Sequence, residues 1–278
     1  MSQDLLIRRL ENLNDEDLMS LLVGGLRLDQ TKLEGLSHSD LVIRCSAELR
    51  SAAGSSTMNL VRDSHGFPYK QLLIDVADKI APGITPLSWT KYRLKDEHKE
   101  EEIEQLVLDF FDEQVRGWWQ KLSEEKREEF VNGINSVLGG DSDISALVSK
   151  GAIPFLQRQT IENLVQGGLV GGLAKVTAGG ALGVVGVSLV GQLGWIILVQ
   201  TVGWMAGLKI VIFGLGGYGA AGGAVTALGS MAMGSAVALP GMVALVDGPA
   251  YRKTVPTVVM LLAKTRLNRL TSRQETTE

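Results

Sequence analysis

Two long runs of this sequence contain no aspartate, glutamate, lysine or arginine. The first covers residues 176–208 and the second 210–246, 33 and 37 residues long, with Lys209 alone between them. A helix crosses the hydrocarbon core of a bilayer with about 20 apolar residues. Each run is therefore long enough for one crossing, and together they predict a transmembrane helical hairpin over 176–246. Glycine sharpens that expectation, because 23 of the 33 glycines fall between Gly151 and Gly248. In a water-exposed helix each costs about 1 kcal/mol relative to alanine. In lipid, small residues four apart let helix backbones approach closely. That spacing recurs at Gly167/Gly171, Gly168/Gly172, Gly179/Gly183, Gly203/Gly207 and Gly219/Gly223.

The rest of the chain is built differently. Residues 1–150 carry 27 acidic and 18 basic side chains, and residues 151–278 carry 4 and 9. This segregation divides the chain into a small helical module (1–30), an α-helical domain (31–150), an amphipathic connector (151–175), the two-span region (176–246) and a basic tail (247–278). Arg252, Lys253, Lys264, Arg266, Arg269 and Arg273 crowd that tail, which the positive-inside rule assigns to the cytoplasm. The N-terminus shows no basic segment followed by an apolar one, so no secretory leader is expected. Both termini are then expected on the cytoplasmic face of an inner membrane, with an even number of crossings.

Local patterns in the front half are helical throughout, so the fold class expected is all-α. Asn14 ahead of Asp15-Glu16-Asp17 reads as an N-cap with acids in the first turn. Gly24-Gly25 should end that helix. Residues 31–50 read as two short helices split near Ser37-His38-Ser39. Pro68 suits the first turn of a helix from Tyr69 to about Ile80. Over 101–121, Ile103, Leu106, Val107, Phe110, Phe111, Val115, Trp118 and Trp119 repeat at three- and four-residue steps, a wide apolar stripe. Ser123 should cap the next helix, with Phe130, Ile134 and Val137 inward.

Several chemistries are excluded or unsupported. A single cysteine, Cys45, rules out a disulfide framework, and its expected role is core filler. His38, His65 and His98 are too scattered to predict a metal site. Gly214-Leu-Gly216-Gly217-Tyr-Gly219 matches the dinucleotide fingerprint G-x-G-x-x-G, yet the first acid beyond it is Asp247. Only 31 residues remain after that acid, too few to complete a nucleotide-binding sheet. Gly139-Gly140-Asp141-Ser142-Asp143 lacks the twelfth-position glutamate of a calcium loop and reads as a turn plus cap. No acid, base, nucleophile and metal ligands converge, so neither an enzyme nor a cofactor is expected.

Three blocks resemble the YaaW-like family of bacterial proteins. The first is Gly54-Ser-Ser-Thr-Met-Asn59 with Arg62, His65-Gly66, Tyr69 and Leu72-Leu-Ile-Asp75-Val76. The second is Glu102-Ile-Glu-Gln-Leu106 leading to Trp119-Gln-Lys121, Glu124-Glu125 and Glu129-Phe130. The third is Gly248-Pro-Ala-Tyr251-Arg252 with Thr254-Val-Pro256. The resemblance covers most of 1–140 and 247–270. Some relatives look like channel-forming effectors of Hailong-type anti-phage defence. For this chain that implies gating by an oligonucleotide made by a partner nucleotidyltransferase.

A two-span subunit encloses no conduit alone, so a channel requires a homo-oligomer, expected to be cyclic. Its lining would come from the polar residues of the spans, Gln192, Gln200, Thr201 and Thr226, with Lys175 and Lys209 at the ends. Arg50, Arg62, Lys70, Lys91, Arg93 and Lys95 are the candidate phosphate contacts for an anionic ligand. The alternative reading is a non-conducting protein that docks on membranes or partners, with its glycine-rich segment as a helical oligomer core.

Overall fold

A computed structural model describes residues 4–54, 67–81, 98–139 and 251–275, together with Glu162 and Leu164. Among these, 84% are helical and none lies in a strand, so the all-α expectation holds. No helix among the described residues is long and apolar enough to cross a membrane. The two charge-free runs, the dinucleotide-like glycines and the 141–143 acids lie outside the described residues.

The chain divides into two compact units, one of residues 1–114 and 238–265, the other of 115–237 and 266–278. The first begins with α1 (Leu5–Glu11) and α2 (Asp15–Met19), which runs on as a π-helical turn, Ser20–Gly25. A short 3₁₀ turn follows at Gln30–Lys32, then α3 (His38–Gly54), α4 (Tyr69–Ile80) and α5 (Glu100–Lys121). Beyond α5 come α6 (Glu124–Gly139) and α7 (Tyr251–Glu275).

Caps explain where most of these helices start. Asp4 accepts from the Leu6 amide at 2.9 Å, and Asn14 accepts from the Asp17 amide at 2.8 Å, as the sequence predicts for Asn14. Ser37 and Asp40 bond each other's backbone amides at 3.2 Å, a reciprocal capping box that launches α3. The predicted pair of helices over 31–50 is thus one 3₁₀ turn and one long helix, because Ser37 caps where a break was expected. Gly24-Gly25 does close the α2 segment. Its end is sealed by bonds from the Leu26 and Leu28 amides to the Leu21 and Leu22 carbonyls, with Arg27 left-handed at φ 62°.

The core of the first unit is leucine-rich. Leu6, Leu10, Leu18, Leu21, Leu22, Leu49 and Leu72 are almost fully buried, and burial of each contributes about 2 kcal/mol. Cys45 is buried among them as the expected filler. On α5 the predicted stripe is inward from Ile103 to Val115, with Leu106 only half-buried.

Much of the segment read as a basic tail is one helix. Residues 251–275 form a 25-residue helix, and Val258 to Ala263 are at most 3% exposed. Beside the lysines and arginines, the apolar run Val255–Ala263 is buried. Pro256 lies inside α7 and lacks the amide that would bond the carbonyl four residues earlier. One residue on, the Thr257 hydroxyl donates to the Lys253 carbonyl at 2.6 Å.

At one point α7 and the π-helical turn touch so closely that any side chain larger than glycine would have to displace Thr257. A β-carbon on Gly25 would stand 2.4 Å from Thr257 Oγ1 and 3.3 Å from its Cα. In the second unit, Trp118, Trp119 and Phe130 form an aromatic cluster with centroid separations of 5.2 to 6.0 Å. Edge-to-face rings at these distances add about 1 kcal/mol per pair beyond burial.

Gly25→Ala should lower stability by about 1–3 kcal/mol through overpacking, despite alanine's better helix propensity of about 1 kcal/mol. Adding Thr257→Ala removes the clashing hydroxyl and should recover part of the loss. Chemical denaturation of the four members of the cycle measures both effects, and additive losses would place the clash elsewhere.

Candidate functional site

Three polar arrangements stand out in the first unit. The deepest joins α1, α4 and α5. Glu104 precedes Val107, Phe111, Val115 and Trp118 at three- and four-residue steps, so the helical period turns its carboxylate inward with the apolar stripe. Arg9 grips it with two bonds, Nε to Oε1 at 3.0 Å and Nη2 to Oε2 at 2.7 Å. The Tyr69 hydroxyl donates to Oε1 at 3.0 Å. The Arg9 and Glu104 side chains are each 9% exposed, so neither charge is hydrated. Burial opposes the Arg9 charge, and the Glu104 bond and carboxylate outweigh it, holding Arg9 above its ordinary value. Burial first, and then Glu104, push the Tyr69 phenol well above its ordinary range. A phenol kept protonated beside a committed carboxylate acts as a fixed donor. It is a structural tie.

The second arrangement is built on Arg50, one of the expected phosphate contacts. Its guanidinium pairs with Asp4, donates to the Phe67 carbonyl, and reaches Ser46 Oγ at 3.3 Å. Asp4 also caps α1, so one carboxylate ties the start of the chain to the end of α3. Arg50 is 9% exposed, and its donors are engaged within the chain. Lys70, the other candidate among the described residues, is half-buried near the start of α4. Its charge favours ionisation of Glu100, whose carboxyl is nevertheless raised by burial and by Asp4, Glu101 and Glu104. Arg50 and Lys70 thus sit beside acids. Arg62, Lys91, Arg93 and Lys95 lie outside the described residues, as do the pore candidates Gln192, Gln200, Thr201, Thr226, Lys175 and Lys209.

The third arrangement is the junction of the N-terminal module with α7. Lys264 Nζ lies 3.0 Å from Asp17 Oδ1, with side-chain exposures of 10% and 5%. Asp17 Oδ2 is buried without a hydrogen-bond partner among the described residues. Burial raises the Asp17 carboxyl, and Lys264 opposes the rise. At the other end of the buried part of α7, Lys79 of α4 sits over the Tyr251 ring at 5.0 Å. Among the described residues no three metal-ligating side chains cluster.

Sequence reasoning names Asp17, Gly25, Tyr69, Glu104 and Lys264 only as cap, stop, family-block or tail residues, does not name Arg9 or Thr257, and pairs none of them. Glu104 is an acid at helical spacing from the α5 stripe, and Lys264 a cation at the end of the apolar run 255–263. Their partners are 95 and 247 positions away, which no local pattern encodes. The chain matches no protein-family model, no curated protein and no solved structure.

Glu104→Ala strands a buried guanidinium and should cost about 3–5 kcal/mol, whereas Tyr69→Phe should cost about 1 kcal/mol. Urea titration followed by far-ultraviolet circular dichroism distinguishes them. Equal small losses would show that the Arg9–Glu104 pair is hydrated. Arg50→Ala should cost about 1–3 kcal/mol by stranding the Phe67 carbonyl, while Lys70→Ala stays within about 0.5 kcal/mol. A surface role for Arg50 would reverse that order.

Proposed function

We propose that this chain is the subunit of a homo-oligomeric membrane channel, with its helical domain and C-terminal helix in the cytoplasm. The observation that carries the reading is the return of the chain. Residues 1–114, ahead of the charge-free runs, and residues 251–265 of α7, after them, belong to one compact unit, joined by the buried Asp17–Lys264 pair and the Gly25–Thr257 contact. A segment that leaves and re-enters one folded unit crosses a bilayer an even number of times. Two runs of 33 and 37 uncharged residues match two crossings.

The glycine spacing supports close helix packing between and within subunits. Gln192, Gln200, Thr201 and Thr226 are the polar positions available to line a shared conduit, and Lys175 and Lys209 bound the first run. The resemblance to the YaaW-like family and to Hailong-type effectors supports a place in bacterial anti-phage defence. It also supports an oligonucleotide stimulus supplied by a partner nucleotidyltransferase. Lys70, together with Arg62, Lys91, Arg93 and Lys95, supplies the cations for such a ligand. Arg50 holds the end of α3 to Asp4 and to the Phe67 carbonyl, just ahead of α4.

Membrane pellets should release the protein to detergent and retain it through alkaline carbonate and high salt. Release by carbonate would favour the docking reading, with 165–246 as an oligomer core. In planar bilayers the purified protein should conduct. Gln192→Leu and Gln200→Leu should change the conductance; unchanged currents remove both from the pathway. Binding of short single strands should weaken with salt, and Lys70→Ala should lower the slope of log affinity against log salt by about 0.7. No binding at low salt ends the oligonucleotide proposal.

A further inference from the structure

The junction between the N-terminal module and α7 carries a feature that stability alone does not explain. Asp17 and Lys264 are both withdrawn from water, yet one Asp17 oxygen has no hydrogen-bond partner among the described residues. An apolar pair of similar volume would fill the space without the desolvation cost, and such replacements are often neutral or stabilising. The best-attested use of a buried polar pair is to fix the register of one helix on another.

The second contact completes the geometry. On α7, Thr257 and Lys264 are seven residues apart, two turns along one face and about 10.5 Å along the axis. On the module their partners, Gly25 and Asp17, are eight residues apart with the π-helical turn between them. The order is reversed, so the two segments run antiparallel. One contact admits no side chain at Gly25 unless Thr257 is displaced, and the other demands a charge partner for Asp17. Sliding α7 by one turn, about 5.4 Å, would separate the ion pair and leave both charges buried. It would also bring the bulkier Lys253 or Leu261 to the place of Thr257.

We propose that these two contacts are a register lock: the N-terminal module holds α7 at one axial position, and its release permits a one-turn slide of α7. The slide would act directly on the charge-free run, which ends at Val246, five residues before α7 begins. The lock stands on the junction geometry and does not rest on conduction.

Spin labels at Glu16→Cys and Lys253→Cys in the full-length protein read the axial position directly. Lys253 and Lys264 are 11 residues apart on α7, about 16 Å of helix, which suits pulsed electron resonance distances. Cys45 is fully buried with its thiol pushed up to about 12, so it stays unlabelled. The otherwise wild-type chain should give one narrow distance. In Asp17→Leu/Lys264→Met a second component should emerge, displaced by about 5 Å, while helix content and thermal midpoint are kept. A folded double variant with the single original distance overturns the lock. If that variant does not fold, Asp17→Asn/Lys264→Met is read against the same two outcomes.

Discussion

Where α7 passes Gly25, backbone meets side chain so closely that a single added carbon would collide with Thr257. That contact makes the last helix of the chain part of the same core as the first. The consequences follow in order. Val258 to Ala263 lose their solvent, Lys264 is drawn in with them, and Asp17 must be turned inward to meet its charge. The basic C-terminal segment thus contributes residues 255–265 to the core of the first unit.

The elements most legible in sequence were those whose signal is local. Pro68 fixed the start of α4 through its own backbone geometry, and the helix runs from Tyr69 to Ile80 as the sequence predicts. The α5 stripe marked its core face through a period that any buried helix must show. Two readings went differently for identifiable reasons. Around Ser37-His38-Ser39 a cluster of small polar residues looks like a break, yet Ser37 and Asp40 cap each other and begin a 17-residue helix there. In 251–275 the six cations suggest a tail, although Lys264 is drawn into the buried stretch while Arg266 and Arg269 follow it with greater exposure.

The polar groups were the least legible part. Arg50 has the charge of a phosphate contact, and nothing in its neighbours in sequence reveals that Asp4 and the Phe67 carbonyl take up its donors. Glu104 lies in a run of four glutamates, three of which face or approach solvent, and only the helical period separates it from them. Buried pairs such as Arg9–Glu104 and Asp17–Lys264 gain little net stability over apolar packing. Their weight lies in which arrangement they permit, and that is set by partners far away in the chain.

The central claim is that the uncharged runs form a two-span insertion whose ends return to one side of a membrane. Single cysteines at Glu16, Lys209 and Lys253, probed with a membrane-impermeant maleimide on right-side-out vesicles, test it most directly. The account predicts that Lys209→Cys reacts in intact vesicles, while Glu16→Cys and Lys253→Cys react only after lysis. Protection of Lys209→Cys in intact vesicles, or labelling of the two flanking positions from opposite sides, would contradict it.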